Sequence, residues 1–161
     1  MVEMSRSIFE AWRVNEQVNR VLLEYLTADM LQARTPGGGY TVAQHLAHLA
    51  GSLKYWGSHL DEADMGNLPD LFDPQAEAFV AEADPERIRN VMRRTAEKVL
   101  EVVEARPQGD KGELPHSSVE AFLLHMLVHD AHHRGQILLA LKTAGYPLPD
   151  EDALWSPWRG G

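Results

Sequence analysis

Breaks rich in proline and glycine divide this chain into four long segments, each with a helical pattern of apolar residues. In the first segment, Ile8, Trp12, Val18, Leu22 and Leu26 recur close to the i, i+3/i+4 spacing that places side chains on one helix face. The alternation of apolar and polar residues that marks strands is hard to find. The chain is therefore predicted to be all-α, with helices over residues of about 5–31, 41–64, 84–105 and 117–144.

Residues that start and stop helices lie at the expected ends of these segments. Thr41 is a candidate N-cap for the second helix. Asp84 is a candidate N-cap for the third helix, with Pro85 in its first turn. Either Ser117 or Ser118 begins the fourth helix, which is expected to end at a glycine near residue 145.

Four long helices predict a single four-helix-bundle domain over residues 1–161, in which sites are made by side chains that face inward from neighbouring helices. With 161 residues and 44% hydrophobic side chains, the chain can bury a sizeable core. Residues 146–161 are predicted to form an irregular C-terminal tail, with Trp155 and Trp158 as its anchors on the bundle.

The composition argues against several kinds of partner. A net charge of −9 repels phosphate backbones, so no nucleic-acid partner is expected. No apolar run reaches the roughly 18 residues of a membrane span, and the N-terminus lacks the basic-then-apolar layout of a signal peptide. A cytoplasmic location without membrane association is the expectation. Because cysteine is absent, a metal site must use His, Asp or Glu.

The predicted fourth helix carries an unusual concentration of imidazoles in the stretch HMLVHDAHHRGQ. His129 and His133 lie one turn apart on the same face, with Cβ atoms about 5–6 Å from each other. That spacing allows both side chains to bind one metal at about 2.0–2.1 Å. His125 lies one turn before this pair and Gln136 one turn after it. The pattern favours a metal-binding face that looks into the bundle.

A third ligand is expected from the second helix, where His45 and His48 are three residues apart. Only one of them is expected to face inward with Leu49, Ser52 and Tyr55, and His48 is the choice. The predicted metal ligands are thus His48, His129 and His133. Three neutral nitrogens leave at least one coordination position open, as in catalytic sites.

Simpler interpretations of the histidines remain open. An isolated inward histidine is usually a hydrogen-bonded core residue, and His45, His125 and His132 taken singly favour packing, supporting or surface roles. The stretch HDAHH also invites comparison with the HExxH motif of zinc peptidases, but Asp130 stands where that motif has its catalytic Glu. No clear third-ligand glutamate follows, so a peptidase is disfavoured.

Two segments resemble the signature segments of the DinB/YfiT-like superfamily of metalloenzymes, which is distinct from the DNA polymerase that shares the label. GGGYTVAQHLAHLAGSLKYW resembles the superfamily's small–aromatic–Ser/Thr–His-Leu segment, and LLHMLVHDAHHRGQILLALKTAGYP resembles its H-x3-H-R-G-Q segment. Asn19 matches an asparagine that is frequent in the first helix of the superfamily.

The resemblance implies an up-down-down-up four-helix bundle, usually a homodimer. It also implies a divalent metal, Ni²⁺ or Zn²⁺, on one histidine of the second helix and two of the fourth. Matched residue by residue, these are His48, His129 and His133. Relatives include transferases that use low-molecular-weight thiols and a thiol-dependent isomerase, so a thiol is an expected co-substrate. A role in stress responses also fits this family.

The hypotheses for function follow from the open metal position. The favoured one is a metal-dependent enzyme acting on a small molecule, such as a thiol S-transferase, in which Asn19 and Gln136 orient bound water or substrate and Tyr55 or His125 donates to a leaving group. Alternatives are a non-catalytic metal- or ligand-binding stress-response protein, a metal-dependent hydrolase, and a structural helical protein whose histidines are core residues.

Overall fold

The computed structural model describes the backbone of residues 2–160 and the side chains of residues 6–160. Its four long helices are α1 (Val2–Tyr25), α2 (Val42–Ser58), α4 (Pro85–Glu104) and α5 (Val119–Thr143), and two short ones are α3 (Glu62–Gly66) and α6 (Glu151–Trp155). Two 3-10 helices cover Met30–Gln32 and Ser156–Arg159. Within the described residues there is no strand, only one isolated bridge between Phe72 and Ala81. The all-α prediction is confirmed.

The predicted caps fix the starts of three long helices. Thr41 forms a capping box with Gln44, in which each side chain accepts a hydrogen bond from the other residue's backbone N–H. Asp84 accepts from the backbone of Glu86, and Ser118 accepts from that of Ala121. These side chains satisfy backbone donors that have no partner inside the helix.

Two predicted helix ends were wrong. The first helix stops at Tyr25 rather than near residue 31, although Met30 and Leu31 are buried in a 3-10 turn that continues the apolar spacing. The second stops at Ser58, and Asp61 then starts α3 as an N-cap that accepts from the backbone of Asp64. Apolar spacing follows burial and does not require an unbroken helix.

Two core clusters reveal the directions of the long helices. One cluster joins the C-terminal half of α1 and of α5 to the N-terminal half of α2 and of α4. The other joins the opposite halves, including Trp12 of α1, Trp56 of α2, Val99 of α4 and Phe122 of α5. Hence α1 and α5 run in one direction and α2 and α4 in the other. This is the up-down-down-up bundle, in which α1 and α2 each pack against both α4 and α5.

The C-terminal segment differs from its prediction. It is not irregular, because Asp150 caps α6 and the following 3-10 helix continues to Arg159. Leu154 is the buried residue that anchors it, whereas Trp155 and Trp158 are 40% and 47% exposed. The short helix turns Leu154 inward and leaves both tryptophans partly exposed.

The segment between α3 and α4 has no regular helix but is held by hydrogen bonds. Asp73 N–H donates to Val80 O at 2.9 Å, and Glu82 N–H donates to Leu71 O at 2.8 Å. Gln44 Nε2 of α2 donates to Phe79 O at 2.7 Å. The segment is therefore fixed beside the first half of α2. Among the described helices, none is long and apolar enough to cross a membrane.

Candidate metal centre

Three histidines from two antiparallel helices converge inside the bundle. His48 of α2 and His129 and His133 of α5 each offer one ring nitrogen, and these three nitrogens lie within 4.8 Å of one another. His48 Nε2 and His129 Nε2 are 3.1 Å apart. The ring centroids of His133 lie 4.7 Å from His48 and 4.6 Å from His129. The structure thus brings together the three residues that the sequence predicted as ligands.

The chemistry of this donor set fits a divalent metal. Two nitrogens bound to one tetrahedral metal at about 2.0–2.1 Å lie roughly 3.3 Å apart, close to the 3.1 Å between His48 Nε2 and His129 Nε2. The hydrogen-bonding partners of the three rings within the described residues are other histidines and the Ser52 hydroxyl, which lies 3.5 Å from His48 Nε2. No carboxylate among the described residues hydrogen-bonds these rings to stabilise a charged imidazolium, so the cluster consists of neutral imidazoles that can act as metal ligands.

Burial keeps these three rings in their neutral form. Burial, with repulsion from neighbouring histidines, lowers the pKa of His133 to about 3 and that of His129 to about 4. Burial also lowers the pKa of His48. At neutral pH the three rings are therefore uncharged, which is the form that binds metals.

His45 supports the cluster from α2. Its Nδ1 lies 2.8 Å from His133 Nδ1, and the side chain is buried. This contact occupies Nδ1 of His133, and when that nitrogen is the donor, the contact holds the ring in place and leaves Nε2 for a ligand. The prediction that only one of His45 and His48 faces inward was wrong. Residues three apart differ by only about 60° around a helix, so both reach α5.

The other face of α5 carries a buried polar network that contacts α1. Asp130 Oδ2 accepts hydrogen bonds from Asn15 Nδ2 and Asn19 Nδ2, both at 2.7 Å. Arg134 Nη1 donates to Asn15 Oδ1 at 3.1 Å and to Asn19 Oδ1 at 2.6 Å. Asp130 and Arg134 immediately follow His129 and His133 in sequence, so this network fixes the rotation of α5 that aims the histidines at α2.

The network also contains an acid that holds its proton. Burial and the nearby Asp130 carboxylate raise the pKa of Glu16 to about 8, while burial raises the pKa of Asp130 and lowers that of Arg134. Asn19 therefore contacts Asp130, Arg134 and Glu16 and has no hydrogen bond to the histidines within the described residues. These contacts are structural, and the role of Asn19 in orienting bound water or substrate stays a prediction. The sequence analysis did not predict Asn15 and Glu16 as members of this network, although both precede Asn19 by one helical turn.

The other predicted site residues lie at different distances from the cluster. Tyr55 is 59% exposed and lines a cavity that also contacts His48. His125 is exposed, with Nδ1 2.9 Å from His116 Nε2 and its ring 6.2 Å from that of His129. Gln136 is half-buried on α5, and within the described residues it has no hydrogen bond to a histidine. Tyr55 thus shares a cavity with the predicted ligand His48.

Comparison with known proteins agrees with the earlier resemblance. The model of the DinB family matches residues 1–160 of the chain. No curated protein and no solved structure matches it.

Proposed function

Since the chain belongs to the DinB family, we propose that it is a metal-dependent enzyme that transfers a low-molecular-weight thiol to an electrophilic small molecule. The observation that carries the proposal is the convergence of three uncharged imidazoles from α2 and α5. His48, His129 and His133 would hold Ni²⁺ or Zn²⁺, and three protein ligands leave a position open for a co-substrate.

The metal, when bound, lowers the pKa of a thiol or water beside it, so the protein needs no cysteine of its own. The chain supplies the orientation: His45 holds the ring of His133, and the Asp130–Arg134 network holds α5. In the reaction the thiol loses its proton to solvent, a bond forms between sulfur and the electrophilic carbon, and the bond to the leaving group breaks. Tyr55 is the candidate donor to that leaving group.

A turnover assay tests this function. The metal-loaded protein is mixed with a panel of low-molecular-weight thiols and 1-chloro-2,4-dinitrobenzene, and thioether formation is followed by absorbance. We expect turnover that is lost in His133→Ala and in chelator-treated protein. Ester substrates are assayed in parallel. If the protein binds stoichiometric metal but turns over neither thiols nor esters, it is a non-catalytic metal- or ligand-binding protein. Turnover of esters alone would support a metal-dependent hydrolase.

We further propose that the protein is a homodimer. Leu124, Val128 and Leu139 lie along one face of α5 and are 49%, 69% and 46% exposed. Exposed apolar rows of this kind often mark contact surfaces between proteins. The row supports a symmetric contact in which α5 of one copy packs against α5 of another.

A further inference from the structure

A cavity of about 540 Å³ is lined by His48 but not by His129 or His133. Five aromatic side chains line it: Tyr40, Tyr55, Trp56, Phe72 and Phe79. Tyr40 connects the two regions, because its ring lies 5.8 Å from that of His48 and 5.2 Å from that of Phe79. A molecule in this cavity would therefore lie against aromatic faces with one end at His48.

The far wall of the cavity is the segment between α3 and α4, to which the sequence assigned no role. The ring centroids of Phe72 and Phe79 are 5.9 Å apart. The backbone carbonyl of Phe79 accepts a hydrogen bond from the Gln44 side chain, which holds Phe79 in place. Asp70 of the same segment is paired with Lys54 of α2. These contacts hold the wall in place before any ligand arrives, which reduces the ordering that binding requires.

The charges in the cavity are not balanced. Lys54 Nζ contacts both Asp70 carboxylate oxygens, at 3.0 and 3.1 Å, so the one cation of the lining is already neutralised. Glu62 also lines the cavity and is exposed, and within the described residues no ion pair neutralises it. One uncompensated carboxylate thus remains at an aromatic wall, in a chain with a net charge of −9.

We propose that this cavity binds a small molecule with a cationic amine on an aromatic or other flat apolar body. Aromatic faces attract such a cation as well as the apolar body, and Glu62 supplies the opposite charge. An anionic molecule of the same shape is repelled by Glu62 and by the overall negative charge of the protein, so it should bind more weakly. The inference rests on the proposed function, since it names the class of co-substrate that reaches His48.

Three probes with the same 2-naphthylmethyl body and different head groups test the preference: trimethyl(2-naphthylmethyl)ammonium, 2-naphthylmethanol and 2-naphthylmethanesulfonate. Titration calorimetry of the full-length protein should give the tightest binding for the ammonium and the weakest for the sulfonate. Glu62→Gln should weaken binding of the ammonium by roughly two- to fivefold, the range of an exposed ion pair, and leave the alcohol unchanged. Phe79→Ala should weaken the binding of all three probes.

Glu77→Gln is the matched control, because Glu77 is an exposed acid of the same segment that does not line the cavity. It should leave the binding of all probes unchanged. Equal effects of Glu62→Gln and Glu77→Gln, a sulfonate that binds as tightly as the ammonium, or no measurable binding of any probe would overturn the inference. Metal content is measured on the same samples, so a failure of metal binding and a failure of the cation preference are separate results.

Discussion

His45 and His133 face each other across the contact between α2 and α5, with their Nδ1 atoms 2.8 Å apart. One of these nitrogens must donate and the other accept, and the 2.8 Å distance fits either choice. When His133 Nδ1 donates to His45, His133 Nε2 keeps a free lone pair. In this tautomer the contact prepares His133 as a metal ligand.

Replacing His45 should weaken the metal site without abolishing it. In His45→Ala, we expect about one metal per chain but an affinity lower by about 10–100-fold, because His133 loses the partner that fixes its orientation. Competition with a chromophoric chelator measures the affinity. His132→Ala, at the exposed neighbouring position, should keep the wild-type affinity. An unchanged affinity in His45→Ala would show that the contact has no supporting role.

The network between α1 and α5 should be important for stability. Arg134→Met leaves the half-buried Asp130 without a nearby cation and removes the hydrogen bonds to Asn15 and Asn19, so we expect the free energy of unfolding to fall by about 2–3 kcal/mol. Arg20→Met removes an exposed pair with Glu24 and should cost less than about 1 kcal/mol. Urea unfolding of both variants gives the comparison. Equal, small losses would mean that the network is not needed to hold α5.

His133 and Glu16 should make stability depend on pH in opposite directions. The pKa of His133 falls from an ordinary 6.5 to about 3 on folding. Its contribution to the free energy of unfolding is therefore complete above pH 6.5 and is lost as the pH decreases towards 3. The pKa of Glu16 rises from 4.5 to about 8, so its contribution is complete below pH 4.5 and is lost as the pH increases towards 8. Each group changes the free energy of unfolding by at most about 1.4 kcal/mol per pH unit.

The measurement is the free energy of unfolding at pH 7.5 minus that at pH 5.5, in the presence of a chelator. His133→Asn should make this difference smaller than in the wild type, and Glu16→Gln should make it larger. Shifts of the same sign in the two variants would contradict the assignment of these groups as a neutral imidazole and a protonated carboxyl.

The apolar row on α5 predicts a variant that dissociates the dimer. Val128→Glu places a charge at the centre of the row, where burial against a second copy would be costly. Light scattering should show a dimer for the wild type and a monomer for this variant. Gln108→Glu, at an exposed loop position, adds the same charge and should remain dimeric. A monomeric wild type would rule out the proposed dimer.

The sequence could predict those features that depend on neighbouring residues along the chain. Asp84 and Ser118 act as caps through nearby backbone donors, so the starts of α4 and α5 were predictable to within two residues. His129 and His133 share one helix, and their spacing alone places them together.

The remaining features depend on how helices are rotated against each other. Whether His45 faces α5 follows from the packing of α2, and the link from Asn15 and Asn19 to Asp130 follows from that of α1. The wall made by Phe72 and Phe79 has no periodicity for a sequence pattern to detect. Its position depends on single contacts such as that of Gln44 with Phe79.

Metal content per chain is the most direct measurement of the central claim. Elemental analysis of protein without a histidine tag, after incubation with Ni²⁺ or Zn²⁺ and removal of excess, should give about one metal for the wild type and for His132→Ala. The same analysis should give almost none for His48→Ala and His133→Ala, since each removes one ligand of the cluster. A wild type that stays metal-free, or a His48→Ala variant that keeps its metal, would contradict a site shared between α2 and α5.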